Sequence, residues 1–475
     1  MSHQDTDGLT GSVVNHQALK QALDWLLASA KLSGLRFRGD CSWTSKALVF
    51  TAFLWAWSDE KTLTERFFLA RKVVMAMAIL TRAPATSYQA FLKMLKTWTA
   101  ALSIALVVAF RQRMRTDLAE RFKVCGFAVF GVDGSRLELP RTASNEERFS
   151  PAKTRRRSKK KPRHKPHRRA RSRAARDRRA REKKTNSPQM WLTTMFHVGT
   201  GLPWDWRIGP SDSSERDHLC QMLDALPAGA LITADAGFVG YEVWTAILKS
   251  GRHLLVRVGA NVRLLRKLGH VEEKAGLVYL WPDREAKRKQ PPLVLRLVVA
   301  QDGREPVYLV TSVLDEAVLS DKQVVRIYSL RWGIELFYRH FKQTFERRKL
   351  RSHTADNAVL EATWSLLGLW AMGLHAQVEL GHEVPASRIS VAKLLRAYRR
   401  SLREYKSHPD PGESLWDLLA KAVIDEYKRA NKNSRDYPRK KQRSSTAAPK
   451  IRCATKAQIN AARELRNQHE SRLTA

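Results

Sequence analysis

The chain has 475 residues and 43% hydrophobic content, enough to bury a sizeable core over about two to four domains. Its formal charge of +39, from 85 Lys and Arg against 46 Asp and Glu, points to a polyanionic partner, nucleic acid first; charge alone names this class of ligand and not an activity. Four dispersed cysteines, Cys41, Cys125, Cys220 and Cys453, exclude a disulfide framework, the first residues lack a secretory pattern, and the apolar run Leu102 to Phe110 is too short for a membrane span, so a soluble, intracellular protein is expected.

Residues 1–122 read as helices, because apolar residues recur three and four apart over Gln17 to Lys31, Thr44 to Trp57, Thr62 to Leu80 and Ser87 to Arg121. The run from Ser87 to Lys96 fits either a DNA-reading helix or the solvated face of a bundle helix. The pattern then changes. Gly126 to Asp133 is a short, nearly continuous apolar run ended by Gly134, which predicts a buried strand. Trp191 to Val198 and Pro203 to Ile208, joined through Gly199-Thr200-Gly201, predict a hairpin. There follow a helix over Ser214 to Leu226, a buried strand over Leu231 to Asp235, a helix over Tyr241 to Ser250 and a strand over His253 to Val258. Ser214-Glu215 sets an acid at the positive end of its helix. Between the first two strands, Lys153 to Lys184 carries 19 Lys and Arg against Asp177 and Glu182, and is expected to be a disordered insertion (153–184) that condenses onto phosphates. Short strands with turns predict a β insertion over 260–315. Helices follow over Asp321 to Phe345, Asn357 to Leu380, Ser390 to Tyr405 and Ser414 to Ala430, and the basic tail beyond Lys428 is expected to be mobile apart from a short helix near Ala457 to Arg466. The division expected is 1–122, 123–380 and 381–475.

Asp133 and Asp235 stand at the ends of predicted buried strands with glycines beside them, where two carboxylates have room to share a hard cation. Taken singly, each also fits a turn or a helix cap. On the helix from Asp321, Tyr328, Arg331, Glu335 and Lys342 are spaced Y-x2-R-x3-E-x6-K, which puts a phenol, a carboxylate and two cations on one stripe. Arg331 and Glu335 also fit an i,i+4 ion pair. Phosphodiester chemistry uses such a set differently: the carboxylate completes a metal site and the cations hold phosphates. Trp281 or Trp332 fits either stacking on a flipped base or core packing. His253 and His340 are weaker acid/base candidates.

Together with Asp133-Gly134-Ser135 and Asp235-Ala236-Gly237-Phe238, the spaced helix resembles the insertion-sequence transposases of the IS-four family, over roughly Gly126 to Trp370. The resemblance implies an α/β fold with a ribonuclease-H-like core split by the β insertion and flanked by α-helical N- and C-terminal regions, the first of them binding element ends. It implies a DDE triad of Asp133, Asp235 and Glu335 holding two Mg²⁺, with Mn²⁺ able to substitute. Tyr328, Arg331, Trp332 and Lys342 would contact DNA. It further implies transposon-end and target DNA as substrates, cut-and-paste transposition, a homodimeric synaptic complex, and a bacterial, nucleoid-associated location with no membrane. The block 153–184 is a departure from the family pattern. A ribonuclease-H-like nuclease or resolvase without strand transfer, and a domesticated DNA-binding protein, are the alternatives.

Overall fold

The computed structural model describes residues 7–32, 34–35, 37–38, 41–77, 86–151, 188–302, 305–404, 415–424 and 447–474. The basic block Lys153 to Lys184 lies outside the described residues, as does much of the basic tail. The strands β1 (Val129–Glu138), β2 (Gln189–His197) and β3 (Leu202–Gly209) form an antiparallel meander. Beside β1, β4 (Leu231–Ala234) and then β5 (His253–Val258) add in parallel. The resulting order, β3-β2-β1-β4-β5, is the ribonuclease-H-like arrangement. All four residues of β4 are buried, because both faces of the central strands are covered, and this is why their sequences are continuously apolar instead of alternating.

The predicted β insertion supplies β6 (Arg263–Arg266), β7 (Leu277–Leu280), β8 (Leu293–Asp302) and β9 (Glu305–Thr311). Since β9 pairs antiparallel with β5, these strands extend the main sheet. The tail departs from expectation in one respect: Lys450–Cys453 forms β10, parallel to β6 at the edge of a ten-stranded sheet, whereas the helix expected near Ala457 to Arg466 is present and spans Lys456–Thr474. Ala462 and Leu465 seat that helix on Leu265, Leu268, Tyr279 and Trp281. A four-residue strand with one inward apolar side chain, Ile451, has too short a pattern to be read locally; the free edge of β6 supplies its hydrogen bonds. Trp281 is 4% exposed and its Nε1 donates to the Gln290 carbonyl, so its role is packing.

The helices Ser45–Trp57, Leu63–Ala76 and Tyr88–Thr116 start at Thr44, Thr62 and Ser87, each of which caps its helix by accepting a backbone N–H. They share one core with the C-terminal helices: Trp57 Nε1 donates to the Gly368 carbonyl and Trp364 Nε1 to Thr99 Oγ1. Tyr88–Thr116 is long and apolar enough to cross a membrane by length and composition alone. It packs one face, Leu95, Leu102, Leu106 and Phe110, into the core, with Phe110 edge-on to Trp370 of helix Ala355–Glu379, while Ile104 and Val108 are exposed.

Candidate active site

The first strand does not end at Asp133 as the sequence suggests; β1 runs on to Glu138 because β2 continues to pair with it. Its parallel neighbour stops earlier. The last β1–β4 pair is Gly131 with Thr233, so Asp133 extends past the carboxyl edge of β4, where Asp235 leads out of that strand. The two side chains therefore meet at the same end of adjacent strands. Asp133 Oδ1 accepts the Gly134 N–H at 2.8 Å, and Asp235 Oδ1 accepts the Gly237 N–H at 2.8 Å, capping the short turn Ala236–Phe238. Asp235 is thus a cap, as one reading of the sequence has it, and also faces Asp133.

The signature helix is not continuous. It runs as Asp321–Leu330, Gly333–Arg339 and a π-helical turn His340–Thr344. At the first break the N–H groups of Arg331, Trp332, Ile334 and Glu335 donate to carbonyls three residues back, a tightened 3₁₀ pattern. Gly333 sits so close under Phe196 that a Cβ would lie 3.0 Å from the ring. Tightening at one end and widening at the other keep the signature residues facing the strand ends. Arg331 bonds Glu335 at 3.4 Å and lies 5.4 Å from the Tyr328 ring. The ion pair that the spacing allows is therefore present. Lys342, in the π turn, is close enough to Asp133 and Glu138 for both to favour its charge, although burial and Arg348 push its pKa down. Trp332 points outward at 56% exposure, into a groove of about 680 Å³ that Leu330 and His340 also line. His253 faces Phe127 and Ser312, away from this cluster.

Electrostatics ties the carboxylates together. The Asp133 carboxyl is pushed up to about 6, by burial first and then by Asp235 and Glu335, against the opposing Gly134 N–H and Arg331. Glu215, at the first turn of helix Glu215–Cys220, is pushed up to about 7 by burial and then by Asp133 and Asp235, against Arg136 and Arg216. The sequence puts Glu215 at a helix start and carries no local sign of its place in the cluster. The same holds for Tyr338, whose buried hydroxyl lies 2.8 Å from the Asp133 carbonyl.

The donor set is all carboxylate oxygen, which suits a hard divalent cation, and like charges gathered in partial burial call for a counter-charge. Among the described residues no three His, Cys, Asp or Glu converge tightly enough to enclose an ion, and Glu335 is held on Arg331 instead. Arg331 itself is 12% exposed, and its Nε is buried without a hydrogen-bond partner.

A family model described as the transposase DDE domain matches residues 129–370. The transposase InsG for insertion sequence element IS4, from Escherichia coli (strain K12), is 26% identical over 189 residues, which are 38% of this chain and 42% of that protein; the match thus spans less than half of the relative. Among solved structures, the cryo-EM structure of the piggyBac transposase synaptic complex with hairpin DNA aligns over 92% of this chain and 89% of its own at 12% identity and a TM-score of 0.38.

Proposed function

The chain belongs to the transposase DDE family, in its IS4 group, and from this we propose that it is a DNA transposase whose triad is Asp133, Asp235 and Glu335. The observation that supports the reading is that Asp133, where β1 runs past the carboxyl end of β4, lies beside Asp235, which leads out of that end, with Glu335 close enough to raise Asp133. Two Mg²⁺ held by these carboxylates, or Mn²⁺ in their place, would supply activation of water and neutralisation of the leaving 3′-oxygen.

The chain's own residues do the positioning. Arg331, already oriented by Glu335 and Tyr328, holds a phosphate beside the scissile bond through its guanidinium charge. Lys342 holds a second phosphate near Asp133, and Tyr328 shields Arg331 from water. Trp332, exposed at the helix break, stacks on a base at the element's end. The freed 3′-hydroxyl then attacks target DNA, in a cut-and-paste cycle carried out by a homodimer on paired ends. Supercoiled plasmid bearing the element's ends tests this: Mg²⁺-dependent nicking followed by joining of precut ends is expected. Nicking without joining would leave a nuclease, and neither would leave a DNA-binding protein.

A further inference from the structure

Glu215 lies outside the three positions that the signature residues predict. Its carboxylate nevertheless lies against the backbone of Gly134, next in chain to Asp133: a Cβ at Gly134 would come within 2.8 Å of both Cγ and Cδ of Glu215. A Cβ at Gly237, two residues after Asp235, would be 3.9 Å from Glu215 Oε2. The carboxylate therefore occupies the space where a side chain at Gly134 would project, between the ends of β1 and β4. Among the described residues it has no hydrogen-bond or ion-pair partner: Arg216, its neighbour in chain, bonds the Gly237 carbonyl at 2.8 Å, and Arg136 and Arg216 favour its charge without pairing with it. An unpaired, half-buried acid beside two others is unfavourable unless a cation joins them.

We propose that Glu215 is a fourth carboxylate of the divalent-cation site, admitted to it by the absence of a side chain at Gly134. The inference rests on the reading of Asp133 and Asp235 as cation ligands. It implies that Glu215 adds negative charge and an oxygen donor from helix Glu215–Cys220, a different element from those of the triad, and that Gly134, inside β1, is required for room.

The test is Mn²⁺ titration of the full-length protein without DNA, read by the electron paramagnetic resonance signal of free Mn²⁺. Glu215→Gln should weaken the affinity roughly 10- to 100-fold. Gly134→Ala keeps every carboxylate and displaces Glu215, so it should weaken binding by a similar factor, with little further loss when the two are combined. Cooperative thermal unfolding of each metal-free variant shows that the site and not the fold was altered. Should the Gln variant not fold, Glu215→Asp, which shortens the reach but keeps the charge, should show a smaller loss. Wild-type affinity in the Glu215 variants alongside loss in Asp133→Asn would overturn the proposal and leave the triad standing. Wild-type affinity in Asp133→Asn too would overturn both.

Discussion

The hydroxyl of Tyr338 lies 2.8 Å from the backbone carbonyl of Asp133, a residue 205 positions earlier in the chain. The same oxygen is 3.0 Å from the Leu192 carbonyl and accepts the Thr194 N–H at 3.1 Å, so one buried phenol joins the helix carrying Glu335 to both β1 and β2 where the site is built. Tyr338→Phe would leave these backbone groups short of a partner at no cost in shape. A loss of about 1 to 3 kcal/mol in stability is expected by chemical denaturation, with slower single-turnover cleavage as Glu335 loses its fixed relation to Asp133. Unchanged stability would show the hydroxyl to be dispensable.

Asp133→Asn, Asp235→Asn and Glu335→Gln each remove a charge that a hard cation requires while keeping shape. Cleavage and strand transfer should fall together in all three, by several kcal/mol in the transition state or on the order of 10³-fold, while binding to end DNA persists. Double variants should be scarcely worse than single ones, since one cluster serves both steps. Near wild-type cutting by any of the three in Mg²⁺ would remove that residue from the triad.

Arg331→Ala and Lys342→Ala should each slow cleavage roughly 10- to 150-fold, the equivalent of one charge-assisted hydrogen bond of about 1.5 to 3 kcal/mol. Overall DNA affinity should change little. Arg331→Lys should recover only part of the rate, because a point charge cannot bond Glu335 and a phosphate with the planar fork of a guanidinium. Full recovery by Lys would mean that charge alone matters at this position.

A prediction about pH follows from Asp133 and Glu215, whose folded pKa values are raised to about 6 and about 7. An acid of this kind binds its proton more tightly when folded, so it penalises the folded state above its folded pKa and ceases to do so as pH falls below its unfolded value. In metal-free protein at pH 8, Asp133→Asn and Glu215→Gln should therefore melt higher than wild type, and the difference should close between about pH 7 and 4. Added Mg²⁺ at pH 8 should stabilise wild type and not Asp133→Asn. Parallel melting curves at every pH would contradict the raised pKa values.

Deleting residues 153–184, with their 19 Lys and Arg, should flatten the dependence of log affinity on log salt, by about 0.9 for each phosphate that the block neutralises. Cleavage at bound ends should survive the deletion. An identical slope would mean that the block does not touch DNA.

The strands around Asp133 and Asp235 and the helical spacing of Tyr328, Arg331 and Glu335 are legible because they are written in adjacent residues: a buried strand is a short apolar run, and a helical stripe is a matter of steps of three and four. Helix starts at Thr44, Thr62 and Ser87 are legible for the same reason, each cap being local. The end of β1 is not, because its extent depends on how far β2 pairs with it, and the signature helix looks unbroken in sequence because nothing in its spacing reports that Phe196 presses on Gly333.

By itself, then, the sequence determined the charge, the element types, and the identities and spacing of the proposed triad residues and their basic companions, all properties of neighbouring residues. Only the tertiary structure decided that Glu215 enters the cluster through Gly134, that Tyr338 ties Asp133 to the signature helix, and that Lys450–Cys453 closes the edge of the sheet at β6. Those relations join side chains and strands far apart in the chain, and they depend on register, close approach and burial, which take shape only when the strands pair and the helices pack.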